Sequence, residues 1–295
     1  MPYRQITAGA LALNDFSQKK YYATSTRCEW PITAASHLGK GFIALSSIER
    51  TIEQLPEKIP ADRWDLYWRV MTEALRRKIR FALGGGLAAT AYAGQWRDNK
   101  DLDLYIKPED RDRMIRLLKD LGLEDYYDQK PYDRAWIFRS CRGDTIIDVM
   151  WAMANQRAHV DELWLNGPVI DIDGEQIRML PVEETLWSKL YVLQSDRCDW
   201  PDALNILYSS GPKLDWARLL ERVADDAPLL GGLLAIFRWL CPEKADEFPA
   251  WVWAAVGLKE LSNAQGCGPE RAKLLDSRSW FGWTLNNTSQ DSTEN

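Results

Sequence analysis

The sequence predicts an α+β fold, a short mixed sheet flanked by helices and followed by a helical C-terminal domain. Three observations carry this reading: an apolar run that ends in three glycines and passes into an alanine-rich helix, an alternating segment at 101–106, and a mainly helical pattern after Pro181. The divisions implied are residues 1–60, to which no role is assigned, a core over 61–180, a helical domain over 181–285 and a polar, flexible tail over 286–295.

Pro56 and Pro60 bracket a linker, after which Tyr67, Trp68, Met71 and Leu75 recur at helical spacing from Trp64, with Arg76 to Lys78 adding positive charge to the last turn. Residues 79–83 read as a short buried strand running into Gly84, Gly85 and Gly86, and the following LAATAYAG suits a short helix packed close to a sheet. In 101–106, alternation puts Asp101, Asp103 and Tyr105 on one face and Leu102, Leu104 and Ile106 on the other. Pro108 opens a helix whose Met114, Leu117, Leu118 and Leu121 form an apolar stripe stopped by Gly122. Residues 135–138 and 145–151 form a strand pair around Arg142-Gly143-Asp144, and 169–172 with 176–180 form a hairpin across Asp173-Gly174. Near the end, Trp280, Phe281 and Trp283 offer further packing groups.

Composition removes several function classes. The 295 residues are 46% hydrophobic and 27% charged, which excludes disorder and a small disulfide scaffold. With 37 Lys and Arg against 43 Asp and Glu, the net charge of −6 gives no global positive field for nucleic acid or an anionic membrane, so such a partner needs a local basic patch. Cys28, Cys141, Cys198, Cys241 and Cys267 are scattered, without metal spacing, and read as buried small groups in a reducing cytoplasm. His37 and His159 are the only histidines and lie far apart, which argues against a zinc site or a serine–histidine hydrolase, and His159 reads as a surface or hairpin residue. The most apolar stretch, 227–237, is too short and glycine-broken to span a bilayer, so neither export nor membrane insertion is expected.

The chemistry therefore falls to carboxylates. Asp148 lies inside the apolar frame Thr-Ile-Ile-Asp-Val-Met-Trp, where an uncompensated charge costs on the order of several kcal/mol. Three converging aspartates, Asp101, Asp103 and Asp148, imply a divalent metal, and hard oxygen ligands select Mg²⁺ or Mn²⁺, with two ions able to clamp the attacking and leaving oxygens of a phosphoryl or nucleotidyl transfer. Glycines at 84–86 let backbone N–H groups approach a triphosphate, and Arg97 and Lys100 offset phosphate charge.

The segment FALGGGLAATAYAGQWRDNKDLDLYI resembles the nucleotidyltransferase superfamily related to DNA polymerase beta, within it the bacterial stand-alone branch that includes aminoglycoside nucleotidyltransferases and AbiEii-type toxins. The resemblance spans residues 64–207. It implies that Gly85 and Gly86 form the phosphate turn, that Asp101 and Asp103 ligate metal, and that Asp148 binds metal and helps activate the acceptor hydroxyl. Lys189 followed by Asp196-Arg197-Cys198-Asp199-Trp200-Pro201-Asp202 is similar to the branch's lysine-then-arginine-aspartate motif, whose lysine contacts the nucleotide. Gly85-Gly86 replaces the Gly-Ser common in the superfamily, removing one hydroxyl contact. The implied reaction moves an NMP from an NTP to a hydroxyl acceptor, either a small molecule, an RNA end such as that of tRNA, or a protein, with release of pyrophosphate. Base preference and oligomeric state are not written in these motifs.

Competing readings remain. Gly84 to Ala89 also fits the GxGxxA form of a dinucleotide fingerprint, although two acids on one strand face plus a third on a later strand are foreign to it. The same fold also suits a non-catalytic nucleotide-binding or toxin–antitoxin module, against which the retained aspartate triad argues. Lys189 either points into a cleft or snorkels at the edge of an apolar stripe, and Arg197 pairs with nearby acids or contacts phosphate. Asp199 and Asp202 suit a helix N-terminus as well as a site. Trp96 and Tyr105 either stack on a base or pack in the core, and Asp171 with Asp173 belongs to the hairpin.

Overall fold

The computed structural model describes residues 55–96 and 98–258. Expectations for 1–54, Arg97 and 259–295, including His37, Cys28, Cys267, Trp280, Phe281, Trp283 and the polar tail, lie outside the described residues.

The expected linker is helical, since α1 (Leu55–Lys58) buries Leu55 and is followed by the buried Ile59. Helix α2 (Ala61–Arg76) starts directly after Pro60 and buries Trp64, Tyr67, Val70, Met71 and Ala74 along one stripe. It ends where Ile79 N–H bonds the Ala74 carbonyl at 2.9 Å around Lys78, whose φ of 54° is left-handed. The expected 79–83 strand shrinks to β1 (Ala82–Leu83). Its ladder with the following strand covers only Ala82 opposite Tyr105 and Leu83 opposite Leu104, while Ile79 and Phe81 are buried as expected without joining it. Helix α3 (Gly85–Ala93) follows and stops at the left-handed Gly94.

Strand β2 (Asp101–Tyr105) buries Leu102 and Leu104 completely on one face. After a 3₁₀ turn at Pro108–Asp110, α4 (Arg111–Asp120) buries Met114, Leu117 and Leu118 and packs against α2. The short β3 (Glu124–Asp125) has no sequence signal. β4 (Ile137–Arg142) runs on past the expected end at 138, because Ser140 and Cys141 are buried where an apolar criterion stops at the intervening arginine. β5 (Thr145–Met150) completes a sheet of order β1-β2-β5-β4-β3, with β2 and β5 parallel and the other pairings antiparallel. Antiparallel pairing of β1 with β2 excludes the dinucleotide reading, which needs a parallel strand–helix–strand unit at the glycines.

The hairpin forms as expected from β6 (Val169–Ile172) and β7 (Glu175–Arg178), with Asp173 and Gly174 at φ 49° and 83°. Asp171 accepts from Gly174 N–H and the Gln176 amide, so this second acidic pair serves the turn. Leu180 N–H then bonds the Leu83 carbonyl at 2.9 Å, fastening the hairpin to β1.

The helical part comprises α5 (Val182–Leu190), α6 (Trp200–Ser210), α7 (Trp216–Val223), α8 (Ala227–Leu240), α9 (Pro242–Ala245) and α10 (Ala250–Ala255). α6 packs against α3 and α5, setting the helical part beside the glycine turn. Among the described residues, no helix is long and apolar enough to cross a membrane. Cys141 and Cys241 are buried as expected, but Cys198 is exposed because it sits in the loop before α6. His159 is exposed, bridging to Ala152. Tyr105 stacks on Trp164 at 5.5 Å, and Trp96 also packs on the core.

Glu184 is fully buried on α5 and is held by Arg218 and Arg222 of α7, while Arg222 also grips Asp161. Removing the carboxylate leaves two guanidinium groups short of a partner. We expect Glu184→Ala to cost about 2–3 kcal/mol in a urea unfolding experiment, with Arg222 keeping Asp161.

Candidate active site

The parallel register of β2 and β5 sets Asp103 directly opposite Asp148, and the antiparallel register of β5 and β4 sets Asp148 opposite Arg139. Asp101, two residues before Asp103, shares its face. One carboxylate oxygen from each of Asp101, Asp103 and Asp148 lies within 4.8 Å of the others. The three expected acids therefore meet, Asp101 and Asp103 half-buried and Asp148 only 2% exposed.

Arg139 is the functional neighbour that sequence reasoning missed. Its Nε donates to Asp148 Oδ1 at 2.8 Å and its Nη2 to Oδ2 at 2.5 Å, a bidentate grip on the most buried acid. Part of the compensation that Asp148 demands thus comes from within the sheet. Burial still holds the Asp148 carboxyl above its ordinary value, against the opposing pull of Arg139. Tyr126 lies against the same guanidinium, with 5.9 Å from Cζ to the ring centroid.

The glycine turn meets Asp103 at very short range. Gly85 has φ of +56°, and a Cβ there would lie 1.6 Å from Asp103 Oδ2. Only glycine satisfies both the backbone angle and the space. Gly86 N–H points at the same oxygen at 3.4 Å, and Gly84 N–H donates to the Asp103 carbonyl at 2.9 Å. A Cβ on Gly84 would strike the Tyr105 ring at 2.3 Å. The start of α3 is thereby pressed against the acidic face of β2. Burial, then the charges of Asp101 and Asp148, push the Asp103 carboxyl up to about 7, with Lys189 and Gly86 N–H acting in the opposite direction.

The loop between α3 and β2 is braced from α2. Arg63 donates to the Asn99 carbonyl at 3.2 Å, and the fully buried Tyr67 hydroxyl donates to the Lys100 carbonyl at 3.4 Å. Lys100 itself is exposed beside Asp101, and Arg97 lies outside the described residues.

Lys189 neither snorkels nor lies open. It is 4% exposed and its Nζ donates to Asp202 at 2.7 Å and Asp199 at 3.3 Å. Arg197, largely exposed, pairs with Asp199 through Nε and Nη2. Asp199 does not cap α6 with its side chain, contrary to the capping expectation, because both its oxygens are taken by these cations. Burial alone would raise the Asp199 carboxyl, yet Lys189 and Arg197 outweigh it and hold it below its ordinary value.

Hard oxygen donors this close, with mutual repulsion that burial intensifies, form a donor set suited to a divalent cation such as Mg²⁺ or Mn²⁺. The amide-bearing glycine turn beside it suits an anionic ligand.

Residues 69–226 match a family model described as "Uncharacterised nucleotidyltransferase". Similar solved structures include the solution structure of the antibiotic-resistance factor ANT(2'')-Ia, at 21% identity and TM-score 0.42, over 57% of this chain and 94% of that one. A crystal structure of ANT(2'')-Ia with adenylyl-2''-tobramycin matches at 19% identity and TM-score 0.40, over 55% of this chain and 94% of that one. The lincosamide antibiotic adenylyltransferase LnuA, lincomycin-bound, matches at 15% identity and TM-score 0.37, over 48% of this chain and 94% of that one. No curated protein matches.

The raised Asp103 carboxyl gives a signed pH dependence. The folded protein keeps this proton up to about pH 7, whereas the unfolded chain releases it near 3.8. Without metal, stability is therefore lost as pH rises from about 4 through about 7. Asp103→Asn removes that loss, so in EDTA its Tm advantage over the parent grows between pH 5 and pH 8, reaching about 5 °C by thermal melt. A constant offset across this range would contradict the assignment.

Proposed function

The chain belongs to the nucleotidyltransferase family that its residues 69–226 match, and from that premise we propose a metal-dependent transfer of a nucleoside monophosphate from an NTP to a hydroxyl acceptor. The observation that carries the reading is the meeting of Asp101, Asp103 and Asp148 beside the glycine turn of α3.

In this reading the acceptor oxygen attacks the α-phosphorus, a new P–O bond forms, the bridging α–β P–O bond breaks, and pyrophosphate leaves with the bonding electrons. Asp148 takes the hydroxyl proton. Arg139 fixes its orientation through the bidentate pair. Asp101, Asp103 and Asp148 would hold Mg²⁺ or Mn²⁺, two ions in this reading, and such ions would supply charge stabilisation at the α-phosphate. The turn at Gly85 and Gly86 brings backbone N–H groups to the triphosphate, Gly84 being left out of this role because its N–H is bonded to the Asp103 carbonyl, and Lys100, Arg97 and Arg197 balance the charge.

The acceptor brings the nucleophilic hydroxyl, and the test is a transfer assay. The protein with each labelled NTP, Mg²⁺ and a panel of aminoglycosides, lincosamides and tRNA is expected to release pyrophosphate and label one acceptor class. Asp101→Asn and Asp148→Asn should each lower the rate at least 100-fold while leaving the fold intact by circular dichroism, and EDTA should abolish turnover. Nucleotide binding without pyrophosphate release, unchanged by Asp148→Asn, would mark a non-catalytic nucleotide-binding or toxin–antitoxin module instead.

A further inference from the structure

Resting on the nucleotidyl-transfer reading, we propose that Lys189 is a positioning residue that does not touch the nucleotide. It fixes Asp199, and Asp199 in turn aims Arg197, which is the cation that meets the triphosphate.

Lys189 spends two of its three N–H donors on acids and is almost wholly enclosed. Its ammonium sits between Asp202 at 2.7 Å and Asp199 at 3.3 Å, with 5% of the side chain exposed, and both acids are themselves mostly buried at 14%. Turning the lysine toward a phosphate would strand two carboxylates in a poorly solvated place, which is the costly direction for a buried pair. Asp202 lies in the first turn of α6 and Lys189 in the last turn of α5, so the pair also joins two helices that pack together.

Arg197 is built the opposite way. Its side chain is 63% exposed, and two of its five N–H donors are spent on Asp199, leaving three. It lies close enough to the acidic cluster for its charge to be felt by Asp148 and for Asp103 and Asp101 to act on it. The backbone around it is pinned. Gln194 N–H bonds the Arg197 carbonyl at 2.7 Å, Asp199 N–H bonds the Val192 carbonyl at 2.9 Å, and Leu193 bridges Cys198. With the main chain held, Asp199 is, among the described residues, the side chain that sets the guanidinium plane, and Asp199 is in turn set by Lys189. An exposed guanidinium with three donors left is a stronger partner for a triphosphate than a buried ammonium that already bridges two carboxylates.

A double-mutant cycle on binding separates the two roles. The probes are the α,β-methylene analogues of the four NTPs with Mg²⁺, titrated by calorimetry into the full chain, and the tightest is carried forward. Lys189→Met and Arg197→Ala are each expected to weaken binding roughly tenfold or more. The double variant is expected to bind within about twofold of Arg197→Ala alone, because Lys189 acts only through Arg197. Multiplied losses, roughly 100-fold in the double variant, would show a direct lysine contact and overturn the proposal. Should Lys189→Met fail to fold by circular dichroism, Asp199→Asn takes its place. It is expected to weaken the parent and leave Arg197→Ala unaltered, and equal weakening of both backgrounds overturns the proposal. Failure of the parent to bind any of the four analogues would instead sink the nucleotidyl-transfer reading itself.

Discussion

The pairing of β2 with β5 is the constraint on which the site depends. A parallel ladder that places Asp103 against Asp148 forces two carboxylates side by side, and alternation along β2 adds Asp101 to the same face. Like charges in adjacent strands oppose the ladder that brings them together. The protein tolerates the conflict because the opposite face of the same strands is fully buried at Leu102, Leu104, Ile147 and Val149. A slip of one residue would exchange the two faces, so the apolar side fixes the register and the acidic side inherits it.

The remaining strain is distributed unevenly among the three acids. Arg139 takes charge of Asp148 from the neighbouring strand, whereas Asp103 is left to its burial, a glimpse of Lys189 and one long contact from Gly86 N–H. The asymmetry gives chemically different groups in one small space: one carboxylate oriented by a fork, one pushed up by burial and by its acidic neighbours. It arises from position alone, since the residue type is the same.

Much of this was legible in the sequence wherever a local pattern dictated it. The alternation at 101–106, the glycine turn, the Asp173-Gly174 hairpin and the apolar frame of Asp148 each express a backbone preference or a period within a few residues. What was not legible depended on partners distant in sequence. Arg139 sits in Ile-Phe-Arg-Ser-Cys-Arg, where nothing alternates cleanly, and its meaning appears only once β4 is laid against β5. The helix that carries Lys189 fits a cleft position and an edge position alike, and neither holds, because Asp199 and Asp202 arrive from the next element and enclose it. The linker expected at Pro56 to Pro60 failed for a similar reason, as Leu55 and Ile59 find a core that a short window does not reveal.

The joint at Leu180 has a mechanical consequence. Its amide is bonded to Leu83 and its carbonyl to the Tyr92 hydroxyl at 2.6 Å, so sheet, glycine-headed helix and the entrance to α5 are riveted at one residue. α5 is buried almost throughout, and α6 is tied back to α3 through Ser209 and Ser210. Relative swinging of these blocks is thereby suppressed. Residues 191–199 are braced by their own backbone bonds as well, so adjustment on the acid-facing side falls to side chains rather than to a moving loop.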